Sequence, residues 1–180
     1  MARKVLVLGE LKDRSLRQVS FEALAAGKII SEGGEVVAVL AGEHVSSFAS
    51  ELIAHGADKV VLVEDEKLKH YTSDGFSQAV LAVIRSEKPE AIIFGHTALG
   101  KDLSPKLAAK LNTGLISDAT AIETAGGNIV FTRPIYSGKA FEKKMITEGI
   151  VFATIRPNNI QSLEKDETKT GRGESLSFEI

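Results

Sequence analysis

Gly95-His96-Thr97-Ala98-Leu99-Gly100-Lys101-Asp102 is the stretch of this chain that comes nearest to a known chemistry. It satisfies G-x-x-x-x-G-K, in which glycine amides and a lysine cradle phosphate groups. A working phosphate loop next needs Ser or Thr, whose hydroxyl ligates Mg²⁺, whereas Asp102 stands here and would bring negative charge towards the phosphates. Such loops also follow the first strand of their fold, and this one follows the fourth strand-like run. Two readings remain. In one, Gly95 and Gly100 shape a tight strand-to-helix turn while Lys101 and Asp102 face solvent or a neighbouring subunit. In the other, the turn is a vestigial nucleotide edge, with Gly95, Thr97, Gly100 and Lys101 against the phosphates of an adenine nucleotide.

The remaining reactive residue types form no catalytic or metal-binding set. His44, His55, His70 and His96 lie on separate elements without metal-ligand spacing. His96 stands apart because it ends a strand, where sites of α/β folds form. The chain has no cysteine and no G-x-S-x-G, so thiol chemistry and a nucleophile elbow are excluded. Asp102 and Asp118 could act as a carboxylate pair only if the fold brought them together. No G-x-G-x-x-G follows the first strand, where Gly9-Glu10-Leu11-Lys12-Asp13 stands instead, which disfavours a standard dinucleotide fold.

The elements that would position these residues are legible from periodicity. Lys4 to Gly9, Glu35 to Ala41, Lys59 to Val63 and Ala91 to Gly95 are short, β-branched and almost wholly apolar, as parallel strands covered on both faces are. Between them, Leu16, Val19, Ala23, Ala26 and Ile30 align on one helix face, as do Val45, Phe48 and Leu52, and then Phe76, Val80, Val83 and Ile84. A fourth helix carries Leu103, Leu107 and Leu111, with Asp102 or Ser104 as expected cap and Pro105 in its first turn. Four alternations predict a parallel, doubly wound sheet. After Gly114 the period becomes strand-like. Ala119 to Glu123, Asn128 to Pro134, Lys139 to Ile146 and Ile150 to Ile155 read as an antiparallel C-terminal extension that continues or flanks the parallel sheet.

Composition bounds the function. With 180 residues, 22 Lys and Arg, 24 Asp and Glu and a formal net charge of −2, the chain reads as one soluble globular domain without the basic excess of a nucleic-acid binder. Its apolar runs are too short to cross a membrane, and Met1-Ala-Arg-Lys leads straight into a strand without a signal peptide, so the cytoplasm is the expected compartment. The domain is expected over residues 1–160. Gln161 to Glu174 carries four acidic and three basic side chains and one leucine, which predicts a mobile charged linker over 161–180, with Ser175 to Ile180 as the first strand of a further domain.

One resemblance sharpens this picture. Thr97-x-x-Gly100-Lys101-Asp102-Leu103-x-Pro105-x-Leu107-Ala108-Ala109-x-Leu111-x-Thr113-Gly114-x-x-x-Asp118 and Arg133-Pro134-Ile135-Tyr136-x-Gly138-x-Ala140 closely resemble the amino-terminal half of the electron transfer flavoprotein α subunit. Glu10, Leu16, Val19, Ser20 and Glu22-Ala23-Leu24 resemble that family's opening, and the resemblance covers about residues 3–160. Lys106, Ser137 and Lys139 depart from the usual pattern. The resemblance implies a nucleotide-binding-like topology of the adenine nucleotide α-hydrolase type and a heterodimer with a β subunit. It further implies, for the intact protein, electron transfer from dehydrogenases to a quinone oxidoreductase or similar acceptor. The family's FAD is held by a second domain whose fingerprint this chain lacks, so no flavin is expected on these residues and no catalysis from this domain alone. Asp118, Arg133, Ile135 and Tyr136 become the candidate subunit interface. The alternative is a free-standing adenine-nucleotide-binding module.

Overall fold

A computed structural model of the chain describes residues 1–177 and 179–180. Its centre is a seven-stranded, wholly parallel sheet. The four apolar runs form β1 (Val5–Leu8), β4 (Val36–Gly42), β5 (Lys59–Glu64) and β6 (Ala91–Gly95). Two two-residue strands, β2 (Leu11–Lys12) and β3 (Ser15–Leu16), make a small hairpin after β1. Helices α1 (Gln18–Ser31), α2 (Ala49–Ala54), α3 (Ser73–Glu87) and α4 (Ala98–Lys110) provide the crossovers. β1 is buried along its whole length because β4 and β6 flank it while helices cover both faces. One apolar cluster joins α1 to Val5, Val7, Val36 and Ile93; the other joins α3 and α4 to Leu6, Leu8, Val37 and Ile92. Successive residues of a strand thus serve opposite cores.

Three features differ from expectation. α4 begins at Ala98, with Thr97 as its cap, so neither Asp102 nor Ser104 caps it and Pro105 lies inside the helix. Thr97 wins because its hydroxyl accepts the Gly100 amide at 3.1 Å. Second, the region after Gly114 divides between two sheets. β7 (Ile116–Ala119) and β11 (Val151–Ile155) join the parallel sheet, with β11 between β6 and β7. Only β8 (Ala121–Ala125), β9 (Asn128–Ile135) and β10 (Ala140–Lys144) are antiparallel. This small sheet takes the place of a crossover helix, burying Ile129 and Phe131 in the cluster that α1 also serves. β11 is drawn into the main sheet because both its faces are apolar: Phe152 meets Phe94 edge-on at 5.1 Å, while Ala153 and Ile155 face the other cluster.

Third, a strand forms inside the charged stretch. β12 (Arg172–Ser175) pairs in parallel with β5 at the edge opposite β7. The chain reaches it as a strap: the Asn158 amide donates to Glu22, Leu163 lies by Gly56, and the Asp166 amide donates to the Ala54 carbonyl. Ion pairs Lys169–Asp58, Arg172–Glu35 and Lys59–Glu174 then fasten it. The expected strand Ser175 to Ile180 includes Phe178, which lies outside the described residues.

Candidate functional site

The sheet order places its topological switch between β1 and β6, where the strands on either side run outward in opposite directions. Open parallel sheets bind ligands in the crevice beyond such a switch. Here the β6–α4 side of that crevice is closed from within. Gly100 packs so closely on Gly95 that a Cβ at Gly100 would lie 1.8 Å from the Gly95 carbonyl oxygen, which explains the glycine and leaves no loop wide enough to encircle a phosphate. The Thr97 hydroxyl accepts the Gly100 amide and donates to Glu10 Oε1 at 2.7 Å. Glu10 is 3% exposed, with Arg17 at 3.5 Å. Burial raises its pKa, against the opposing pull of Thr97 and Arg17. A buried carboxylate thus stands at the helix terminus where an anion would otherwise sit. Lys101 is exposed, and Asp102 accepts the Tyr71 hydroxyl at 2.5 Å. Partial burial, with Asp102 beside it, pushes the Tyr71 phenol up to about 12.

A second arrangement lies beyond β6, β11 and β7. The Asp118 amide donates to Thr154 Oγ1 at 2.9 Å, and that oxygen is 2.9 Å from His96 Nδ1. On the other side of the ring, Nε2 faces Asp118 Oδ1 at 4.0 Å. Burial lowers the His96 pKa and so favours the neutral ring; Asp118 pulls the other way. Asp118 has a left-handed backbone (φ 64°), and Arg156 grips its carboxylate at 3.0 and 2.6 Å. That guanidinium holds the Asp118 carboxyl below its usual range. Arg133 donates to the Ser117 carbonyl at 2.8 Å and to Glu142 at 2.7 Å.

These groups border an open cavity of about 490 Å³ whose lining includes Asp118, Arg133, Ile135, Tyr136 and Arg156. Tyr136, Ser137 and Gly138 all have positive φ and carry the Tyr136 ring outward, where it is 78% exposed. Phe141, on the neighbouring strand, is 64% exposed. The structure therefore gathers Asp118, Arg133, Ile135 and Tyr136 at one place, and His96 reaches Asp118 from beneath. Gly95, Thr97 and Gly100 belong to the closed turn, and Asp102 lies beside Tyr71 instead of near Asp118. Sequence reasoning missed Arg156, Thr154 and the role of Glu10. The available signal was a polar residue within two positions of the end of a buried strand, as Glu10 is after β1 and Arg156 after β11. Every carboxylate here is engaged, and among the described residues no cluster of three His, Cys, Asp or Glu could hold a metal.

Fold and site together define a doubly wound α/β domain of nucleotide-binding type whose switch point is closed by its own side chains. The family model described as "Electron transfer flavoprotein domain" matches residues 5–179. The chain is 61% identical over 180 residues to the electron transfer flavoprotein subunit alpha of Bacillus subtilis, covering all of this chain and 55% of that protein. It is 41% identical over 148 residues to the subunit of the same name from Syntrophomonas wolfei, covering 82% of this chain and 46% of that protein. The acryloyl-CoA reductase electron transfer subunit beta of Anaerotignum propionicum is 37% identical over 123 residues, covering 67% and 34%. The chain belongs to the electron transfer flavoprotein family, as the amino-terminal portion of an α subunit. It spans about half the length of the curated relatives it matches. No helix among the described residues is long and apolar enough to cross a membrane.

Proposed function

We propose that this domain is the assembly platform of an electron transfer flavoprotein α subunit. In the intact protein it supports electron transfer between dehydrogenases and a respiratory acceptor such as a quinone oxidoreductase, and it contributes no catalysis of its own. The β subunit docks on the face that presents Tyr136, with Arg133, Ile135 and Asp118 around it. FAD belongs to the remainder of the subunit. The carboxyl edge does not fit the cofactor's pyrophosphate: the Gly100 amide is taken by Thr97 above buried Glu10, and the Val45 and Ser46 amides both donate to Glu64 at 2.8 Å. Residues 161–180 tether the domain to that remainder.

The carrying observation is Tyr136 itself. A large ring left 78% exposed on a strained, left-handed backbone, beside two ion-paired arginines, gains nothing for the isolated fold. Replacing Tyr136 by Ala is expected to change stability by less than about 0.5 kcal/mol while weakening capture by the β subunit at least about tenfold. Loss of folding together with binding would sink the interface assignment.

A further inference from the structure

A separate cleft of about 630 Å³ opens at the carboxyl ends of β1, β4 and β5, away from the Tyr136 face. Leu8, Ala41, Val45 and Leu68 are buried and form its floor; half-buried Phe48, Phe76 and Leu99 form its sides. Tyr71 tilts against Phe76 with ring centres 5.0 Å apart. The rim is polar. Lys12, Arg14 and Lys69 carry positive charge there, beside His44 and His70, and face Asp13, Glu43 and the buried Glu10. Glu43 is only 3.9 Å from Lys69, a loose pair, and Glu10 is turned to Thr97 and Arg17. Asp13 and Arg14, both left-handed, form the two-residue turn of the β2–β3 hairpin, which holds Lys12 and Arg14 at this rim.

The geometry points to a binding site for a small amphipathic anion, an apolar body seated between Phe48, Phe76 and Leu99 with one carboxylate- or sulfonate-like head met by Lys12, Arg14 and Lys69. Size and lining match those of small-molecule sites, in which apolar walls supply affinity and a few charges supply orientation. The same observations disfavour a nucleotide. Phosphates at a parallel sheet's carboxyl edge are held chiefly by backbone amides at helix starts, and here the Val45 and Ser46 amides are committed to Glu64, the Gly100 amide to Thr97. The cations at the rim are flexible side chains, which suit a single charged head better than a polyphosphate. The site does not depend on the docking proposal above.

The probe is 8-anilinonaphthalene-1-sulfonate, titrated into the folded chain and followed by its own fluorescence under direct excitation. One saturable site per chain is expected. Filling the cleft by Leu99→Trp, or from its rim by Ser47→Trp if the first variant does not fold, is expected to weaken binding at least about tenfold. The double variant Lys12→Glu, Arg14→Glu should weaken it about fivefold or more, and Lys143→Glu on the distant small sheet should leave it unchanged. Decanoate should displace the probe, and AMP at equal concentration should not. Absence of saturable binding, or equal binding by the filled and open clefts, overturns the site. Displacement by AMP in preference to decanoate overturns the ligand class.

Discussion

Thr97 joins two problems that the chain must solve together, the unpaired amide at the start of α4 and the buried charge of Glu10. Replacing it by Val removes both hydrogen bonds without changing its shape, so unfolding by urea should show a loss of about 2–4 kcal/mol, combining a lost cap with a buried carboxyl group deprived of its hydrogen-bond donor and left to Arg17 alone. Thr97→Ser keeps the hydroxyl and should recover most of this; equal losses in both variants would mean that packing, not the hydroxyl, matters. His96 carries a pH dependence. Its pKa is lowered in the folded state from 6.5, so the unfolded chain binds more protons as the medium is acidified. The stability it supports is present above the unfolded value and is lost as pH falls through 6.5 towards the folded one. The His96→Gln variant should therefore lose less stability than the parent between about pH 7.5 and pH 5.5, measured by urea unfolding at each. His96 was legible as a strand-end residue. Its partners were not, because Thr154 is 58 positions away and its strand joined the sheet in a place that local pattern does not encode.

Among the elements, β12 and the strap before it are the least regular. All four residues of β12 are exposed, and its attachment rests on parallel backbone pairing with β5 and on ion pairs that are mostly solvent-accessible. Exposed pairs contribute little and are screened by salt. In hydrogen exchange, the amides of Arg172–Ser175 that pair with β5 should be slower than those of 161–165, and 1 M-range NaCl, where screening acts within about 3 Å, should speed the former. Exchange as slow as that of β1 at high salt would show an attachment held by something other than these pairs. Composition alone predicted a linker because the stretch holds a single leucine. Strand pairing at an edge needs backbone groups and not apolar side chains, so hydrophobic pattern carried no trace of it.

For the whole molecule, closure of the switch point by Glu10 and Thr97 predicts indifference to adenine nucleotides. AMP or ATP at up to about 1 mM should leave the thermal midpoint unmoved, since any ligand that binds the folded state must stabilise it. A concentration-dependent rise would restore the free-standing nucleotide module. The purified domain is likewise expected without flavin absorbance at about 450 nm, since a pyrophosphate at this edge would meet the carboxyl groups of Glu10 and Glu64. Stoichiometric FAD would overturn the assignment of the flavin to the rest of the subunit. The sequence by itself determined the alternation of apolar strands with amphipathic helices, hence a parallel sheet covered on both faces, because burial leaves its period in each short segment. It also carried the family motifs. Only the tertiary structure decided that β11 lies between β6 and β7, that Glu10 meets Thr97 across 87 positions, and that Asp118 is held by Arg156. Those choices rest on which distant strand completes a two-sided core and which buried charge finds a partner. Such energies belong to pairs of segments, so neither segment read alone displays them.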